Sequence, residues 1–295
     1  MSDIIQRFTF ANLPVRGEII SLETSYQQIC DQHHYSDQVS KLLGEALAAS
    51  ALMAEIIKIE GKVTLQLQSP SYVKLLLAEC DHHGHVRGVL HTNGEQDKDY
   101  HFQQWTEQGQ MAITIQPNKG QRYQGVVSLT EDTLADCIQD YFIMSEQLAT
   151  YIKLFVSPQK VTGLFLQAMP SSEFSDYHLE SNNPEHAFEH VKTLAETLKE
   201  EEALNLSHEA ILFRLYHQDD IRLLASKPLT FQCSCSRQRY ESALLTIQAS
   251  ELMTILQEQQ GQIEMVCDFC SKKEVFDQQQ VTELLISNQG NSTIN

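Results

Sequence analysis

Four of the seven cysteines fall in two tight pairs, Cys233-Ser234-Cys235 and Cys267-Asp268-Phe269-Cys270, with 31 residues between Cys235 and Cys267. Two close thiol pairs brought together across an insert supply four soft sulfur donors, the ligand set of a tetrahedral Zn²⁺ with no open position. A closed site of this kind holds structure rather than performing metal-centred chemistry. The start of the chain, Met-Ser-Asp-Ile-Ile, has no basic region followed by an apolar run. The expectation is therefore a cytoplasmic protein whose thiols rest reduced and metallated rather than locked in disulfides.

Other residues carry patterns that could also do chemistry. His186-Ala187-Phe188-Glu189-His190 matches H-x-x-E-H, which in an inverted metalloprotease places two imidazoles one turn apart with a glutamate base. Here the pattern falls on the polar side of a helix, so a solvated face is the expectation. Cys80-Asp81-His82-His83-Gly84-His85 resembles a ligand cluster but sits where a hairpin turn belongs. His33-His34 reads as loop, and Cys30, Cys80 and Cys137 read as core thiols. Arg16 and Trp105 read as packing or ion-pairing residues. No catalytic residue is assigned, and the chain is not expected to be an enzyme.

The elements that must position the cysteines follow from periodicity. The expected fold class is α+β: a mainly antiparallel sheet domain with packed helices over 1–170, an acidic helical linker over 171–228, and a small C-terminal zinc domain with four cysteine ligands over 229–295. Short strands are expected at 4–10 and 15–20, around Asn12-Leu13-Pro14. A long helix follows, capped by Ser36, with Leu42, Leu43, Ala46, Leu47, Ala49, Leu52, Met53, Ile56 and Ile57 as its apolar stripe. Its Gly44 and alanines allow another backbone to come close. From 61 to 129 the period becomes two, punctuated by Gly84, Gly94, Gly109 and Gly120, which predicts a run of strands. Helical spacing returns over 131–152 with Thr130 as cap, and two strands, 153–156 and 162–169, close the domain at Pro170.

In the linker, Asn183 is expected to cap a helix opened by Pro184, with Phe188, Val191, Leu194, Ala195 and Leu198 on one face. A second helix begins near Ser207. Between Ser171 and Asp220 stand 12 acidic and 3 basic residues, half the net charge of the chain. Glu185/Glu189 and Glu196/Glu200 read as repelling i,i+4 pairs, and Glu200-Glu201-Glu202 as negative charge at a helix C-terminus. Such helices persist only while their apolar face has something to lie on.

With Lys+Arg 21 and Asp+Glu 39 the net charge is −18, which repels nucleic acid and excludes it as a partner despite the cysteine motif. The most apolar stretch, 42–59, is broken by Glu45, Glu55 and Lys58, so no membrane span is expected.

Beyond the cysteine spacing, Val15-Arg16-Gly17-Glu18, Tyr123-Gln124-Gly125-Val126-Val127-Ser128-Leu129 and Gly163-Leu164-Phe165-Leu166-Gln167-Ala168-Met169-Pro170 complete a likeness covering essentially the whole chain. The chain resembles the bacterial redox-regulated heat-shock holdases, the thirty-three-kilodalton chaperonins. The resemblance implies one Zn²⁺ per chain in the reduced form, with ligands at Cys233, Cys235, Cys267 and Cys270. It also implies ATP-independent holding of unfolding client proteins after oxidation, zinc loss and unfolding of the linker, and a homodimer as the active form. No G-x-x-x-x-G-K-[ST] occurs, consistent with an ATP-independent role.

On the residues themselves, an oxidised thiolate finds its nearest resolving thiol in its own pair, so disulfides Cys233–Cys235 and Cys267–Cys270 are expected. Client contacts are expected diffusely at Phe188, Val191, Leu194, Leu198, Ile211, Phe213 and Leu215. The competing reading is a zinc-ribbon binding or regulatory module without a redox switch. It differs in predicting zinc binding that persists through oxidation.

Overall fold

The computed structural model describes residues 3–57, 59–94, 101–169 and 184–291. The expected stop at Pro170 and cap at Asn183 lie outside the described residues. The chain divides into two compact units, 1–232 and 233–295.

The first unit is built around one helix. After β1 (Ile4–Phe10) and β2 (Val15–Leu22), α1 (Thr24–His33) leads into α2 (Asp37–Ile57). Asp3 stands before these elements yet starts α1: its carboxylate accepts from the backbone N–H groups of Glu23, Thr24 and Ser25 at 2.7, 2.9 and 2.6 Å. Helix α2 is buried along nearly its whole length, from Val39 to Ile56. A helix apolar all round must be covered all round, and two sheets cover it.

Five strands and a short helix follow in order: β3 (Gly61–Gln68), β4 (Val73–Asp81), β5 (His85–Thr92), α3 (Phe102–Trp105), β6 (Gln110–Pro117) and β7 (Tyr123–Ser128). Next come α4 (Leu134–Glu146), β8 (Thr150–Val156) and β9 (Val161–Ala168). One antiparallel sheet carries β1, β2, β9 and β8 in that order; the other runs β5-β4-β3-β6-β7. Helix α2 packs on both. The strands that the period-two pattern predicts over 61–129 all fall in one antiparallel sheet, as expected, while those at 4–10, 15–22 and 150–168 form a second sheet that the spacing does not separate from it. Strand periodicity reports which face is buried, not which strand lies alongside.

Helix α4 is shorter than its spacing predicts. Thr133, not Thr130, caps it by accepting from Asp136 N–H, and the helix ends at Gln147 in the left-handed region (φ 54°). The 147–152 stretch has apolar residues at helical spacing, yet Thr150 onward pairs with β9. Tertiary pairing overrides the local period there.

Close approach explains two glycines. A Cβ on Gly17 would lie 2.1 Å from the Phe8 ring, so the Val15-Arg16-Gly17-Glu18 stretch admits an aromatic side chain from the neighbouring strand. A Cβ on Gly44 of α2 would meet Tyr26 and Val161 at 2.9 Å each. Gly44→Ala gains about 1 kcal/mol of helix propensity and incurs roughly 1–3 kcal/mol of overpacking. A net loss of stability of about 1 kcal/mol is therefore expected in a thermal or urea melt; a stabilised variant would contradict the packing described.

The outer face of the β1-β2-β9-β8 sheet carries a third layer, made of α5 (Pro184–Glu196), α6 (Glu200–Asn205) and α7 (His208–Tyr216). Phe8, Phe10, Val15, Ile19, Leu164 and Leu166 on the strands form one buried cluster with Phe188, Val191, Ala195, Ile211 and Tyr216 on the helices and Leu198 between α5 and α6. The alternate strand residues Ile5, Ile20 and Phe165 face α2 instead. With both faces covered, β2 and β9 are buried at nearly every position, even though Arg16, Glu18, Thr162 and Gln167 interrupt their apolar residues.

The acidic run in this layer is not arranged as its spacing suggests. Helix α5 stops at Glu196, and Glu200, Glu201 and Glu202 form the first turn of α6. Negative charge there meets the positive end of the helix dipole and is favourable. Glu202 accepts from Lys199 N–H at 3.3 Å and pairs with Arg214. The Glu196/Glu200 repulsion expected within one helix does not arise, because the two residues belong to different helices.

From α7 the chain passes through three very short edge strands. These are β10 (Ile221–Leu223) and β11 (Lys227–Pro228) on β1, then β12 (Thr230–Phe231), parallel to β5. The second unit contains α8 (Arg237–Leu244), α9 (Ala249–Glu258), the hairpin β13 (Gln262–Val266) and β14 (Lys273–Asp277), and α10 (Gln278–Asn291). Its buried hydrophobic core is Tyr240, Leu244, Leu252, Leu256, Ile263, Phe276 and Val281. Among the described residues no helix is long and apolar enough to cross a membrane.

Candidate metal centre

The two cysteine pairs sit in two different local settings, a helix entry and a hairpin tip. Cys233 and Cys235 lie in the segment entering α8, whose first turn is capped by Ser236 Oγ accepting from Arg239 N–H. The Arg239 guanidinium also donates to Ser234 Oγ at 2.6 Å, tying down the residue between the two cysteines. Cys267 and Cys270 form the tip of the β13–β14 hairpin. Cys267 N–H donates to Lys272 O at 2.9 Å, Ser271 N–H donates to Cys267 O at 2.8 Å, and Ser271 takes the left-handed conformation that closes the turn. Tyr240 of α8 donates its hydroxyl to Lys272 O at 3.1 Å, joining the helix to the hairpin tip.

This framework gathers the four sulfurs within 4.8 Å of one another. Cys233 Sγ lies 3.6 Å from Cys267 Sγ and Cys235 Sγ 3.4 Å from Cys270 Sγ. All seven cysteines are free, and these contacts are far longer than the ~2.0 Å of a disulfide bond. A tetrahedron with metal–sulfur bonds of about 2.3 Å has edges of about 3.8 Å, so the cluster has the size of a four-thiolate metal site. Cys267 is held below the ordinary thiol value: burial opposes this, but the backbone N–H groups of Phe269 and Cys270 are directed at its sulfur and outweigh it. Burial pushes Cys233 and Cys270 up. A cation among the sulfurs is what would hold all four as thiolates.

Among the described residues, this is the group of histidines, cysteines and carboxylates close enough to hold a metal ion. His190 of the H-x-x-E-H stretch turns to Asp219 (3.2 Å), and Glu189 lies 3.7 Å from Lys192. At the 80–85 stretch, Asp81 accepts from the N–H groups of His83 and His85 and contacts His85 Nδ1 at 3.0 Å, closing the β4–β5 turn through Gly84. Burial pushes the Cys80 thiol up to about 12 and Cys137 up to about 11, so neither is a thiolate near neutral pH. Burial also raises Cys30. Arg16 donates to Gln167 at 2.6 Å, and Trp105 packs on Tyr72 with ring centroids 4.3 Å apart.

Of the residues considered for client contact, Phe188, Val191, Leu198, Ile211 and Leu215 are buried between helix layer and sheet, and Leu194 is packed at its margin. Phe213 is 71% exposed. Spacing does not reveal the residues that support the cysteines, namely Arg239, Tyr240 and the Phe269 and Cys270 amides. Their roles depend on where α8 meets the hairpin.

A two-sheet α+β unit wrapped on a central helix, followed by a small unit with a four-cysteine cluster, defines a particular class of chain. The family model described as "Hsp33 protein" matches residues 3–277. The 33 kDa chaperonin of Shewanella loihica is 42% identical over 275 residues, covering 93% of each chain. That of Pseudomonas aeruginosa is 39% identical over 284 residues, covering 96% of this chain and 94% of its own. The crystal structure of the 33 kDa chaperonin of Thermotoga maritima shares the fold, with a TM-score of 0.82 at 19% identity, covering 98% of this chain and 100% of its own. The chain belongs to the Hsp33 family.

Proposed function

We propose that the protein is a redox-regulated, ATP-independent holdase, inactive while its four cysteines are reduced and zinc-bound. The observation that carries this reading is the cluster of four sulfurs within 4.8 Å, contributed by a helix entry and a hairpin tip in a unit with a small core. Zinc held by Cys233, Cys235, Cys267 and Cys270 would act as a structural cross-link without an open coordination position.

The cysteines themselves supply the switch. A thiolate attacked by peroxide becomes a sulfenic acid with loss of hydroxide. The neighbouring thiol of the same pair then attacks that sulfur, forms the S–S bond and releases water. Each pair thus loses two electrons and each peroxide is reduced to two waters; hypochlorous acid serves equally, yielding chloride and water. Disulfides Cys233–Cys235 and Cys267–Cys270 close tiny loops worth only about 2 kcal/mol each in the chain-entropy account, and they remove every donor that joined the helix entry to the hairpin.

Loosening then passes back along the chain. Strand β12 ends at Phe231, two residues before Cys233, and β10, β11 and β12 have only two or three residues each. Release of α5–α7 uncovers Phe8, Phe10, Ile19, Leu164 and Leu166, a face suited to unfolding clients. Reduction restores the donor set. We place the protein in the cytoplasm and its active form as a homodimer.

The test pairs zinc release, read with a chromophoric chelator, with light scattering from a thermally unfolding client. Peroxide with mild heating is expected to release one zinc per chain and suppress client aggregation. Equal protection by the reduced, zinc-loaded chain would overturn the reading, and peptide mapping of the oxidised chain would show whether the disulfides form within pairs.

A further inference from the structure

Helices α5 and α6 end over the β8–β9 hairpin, and the hairpin meets both ends with a cation. Lys153 of β8 donates to Glu196 O and Leu198 O, each at 2.8 Å. Lys160, at the foot of β9, donates to Leu204 O at 2.9 Å. Those carbonyls belong to the last turns of α5 and α6 and the exit of α5, where intrahelical partners run out and the helix dipole is negative. The positions of both lysines are rigid. Lys153 lies in a strand paired with β9, and Lys160 N–H donates to Ser157 Oγ at 3.0 Å while its carbonyl accepts from Ser157 N–H at 2.8 Å. Both side chains are half-buried. Burial holds both ammonium groups below the ordinary lysine value, against the pull of Glu196 on Lys153 and of Glu23 on Lys160.

The apolar cluster beneath these helices is non-directional: it favours burial but does not fix where a helix must end. The lysine contacts do. We propose that Lys153 and Lys160 are the catches that keep α5 and α6 docked on the sheet, so that these two cations set how readily the helix layer opens. This rests on the holdase reading only for its consequence, that an easier opening lowers the threshold for client capture. The docking role itself stands on the three carbonyl contacts.

The experiment is amide hydrogen exchange on the full-length, reduced, zinc-loaded chain, comparing K153M, K160M and the double variant with K153R and with K119M at an exposed loop position. Methionine keeps the apolar stem and removes the donor. Charged hydrogen bonds of this kind lead to an expected increase of about tenfold in exchange at the Leu198 and Ala203 amides in each single variant, and about a hundredfold in the double. Amides of β3, β4 and β6 should be unchanged, K153R should stay close to the parent, and K119M should match it. Unchanged exchange at α5 and α6 in the double variant would overturn the proposal. So would an equal increase throughout the unit, which would signify global destabilisation. Client protection by the reduced double variant is then measured separately: faster exchange without it supports the catches and counts against the holdase reading.

Discussion

Cys267→Ser is expected to unfold residues 233–295 while α2 and the two sheets of the first unit remain folded. Among its described residues the second unit buries Tyr240, Leu244, Leu252, Leu256, Ile263, Phe276 and Val281, too small a core for a unit of this length to rely on. Metal binding to four thiolates contributes about 10–16 kcal/mol near neutral pH, as much as the whole stability of an ordinary domain, about 5–15 kcal/mol. Cys267 joins the hairpin tip to the C-x-C segment, its sulfur 3.6 Å from that of Cys233, and a serine hydroxyl is a poor substitute for a thiolate. Amide exchange protection should vanish in β13, β14, α8 and α9 and persist in β3, β4 and β6. Chelation of the parent chain should reproduce the pattern. A Cys267→Ser chain that keeps protection in the hairpin would show that the seven-residue core suffices, and the switch would lose its physical basis.

Acidification is expected to destabilise the first unit through His208. This residue opens α7, is buried, and shares a 2.9 Å hydrogen bond with Ser21 Oγ of β2. Burial, opposed by Glu209 and aided by the nearby Lys160, lowers its pKa from 6.5 to about 4. Because the folded value lies below the unfolded one, the neutral ring's contribution is fully present above about pH 6.5. It is lost as pH falls toward 4, where the unfolded chain takes up a proton that the folded chain refuses. At about 1.4 kcal/mol per unit, the loss is on the order of 3 kcal/mol. Other groups titrate in the same range, so the measurement is a comparison: urea melts of the parent and His208→Gln from pH 7 to 4. The parent should lose stability more steeply by up to about one proton's worth of slope. Parallel profiles would mean that His208 is already charged, or accessible, in the folded chain.

Several features of the fold were legible because they depend on local pattern. The stripe from Leu42 to Ile57 announces a buried helix, and the Gly44 and alanine content announces close approach to it. Both follow from side-chain volume at helical spacing. The apolar face of Phe188, Val191 and Leu198 is equally plain. What that face lies on is not, since Phe8, Ile19 and Leu164 are distant in sequence and reach it only through the β1-β2-β9-β8 order. Glu200-Glu201-Glu202 shows the opposite failure. Without a glycine or proline between Thr197 and Lys199 to mark a break, one helix continuing through them was the natural reading. The actual break reverses the sign of their interaction with the dipole.

By itself, the amino-acid sequence determined that two cysteine pairs could offer four thiolate donors, that the chain is strongly acidic, and that strands and helices come in separate runs as in an α+β protein. These are properties of residue type and spacing, which need no partner. Tertiary structure alone decided that the strands form two sheets around α2, that α5–α7 roof one of them, and that Lys153, Lys160 and His208 face helix ends and a buried serine. Those outcomes arise from contacts between residues remote in the chain, where burial removes water and a neighbour's charge or shape sets the energy.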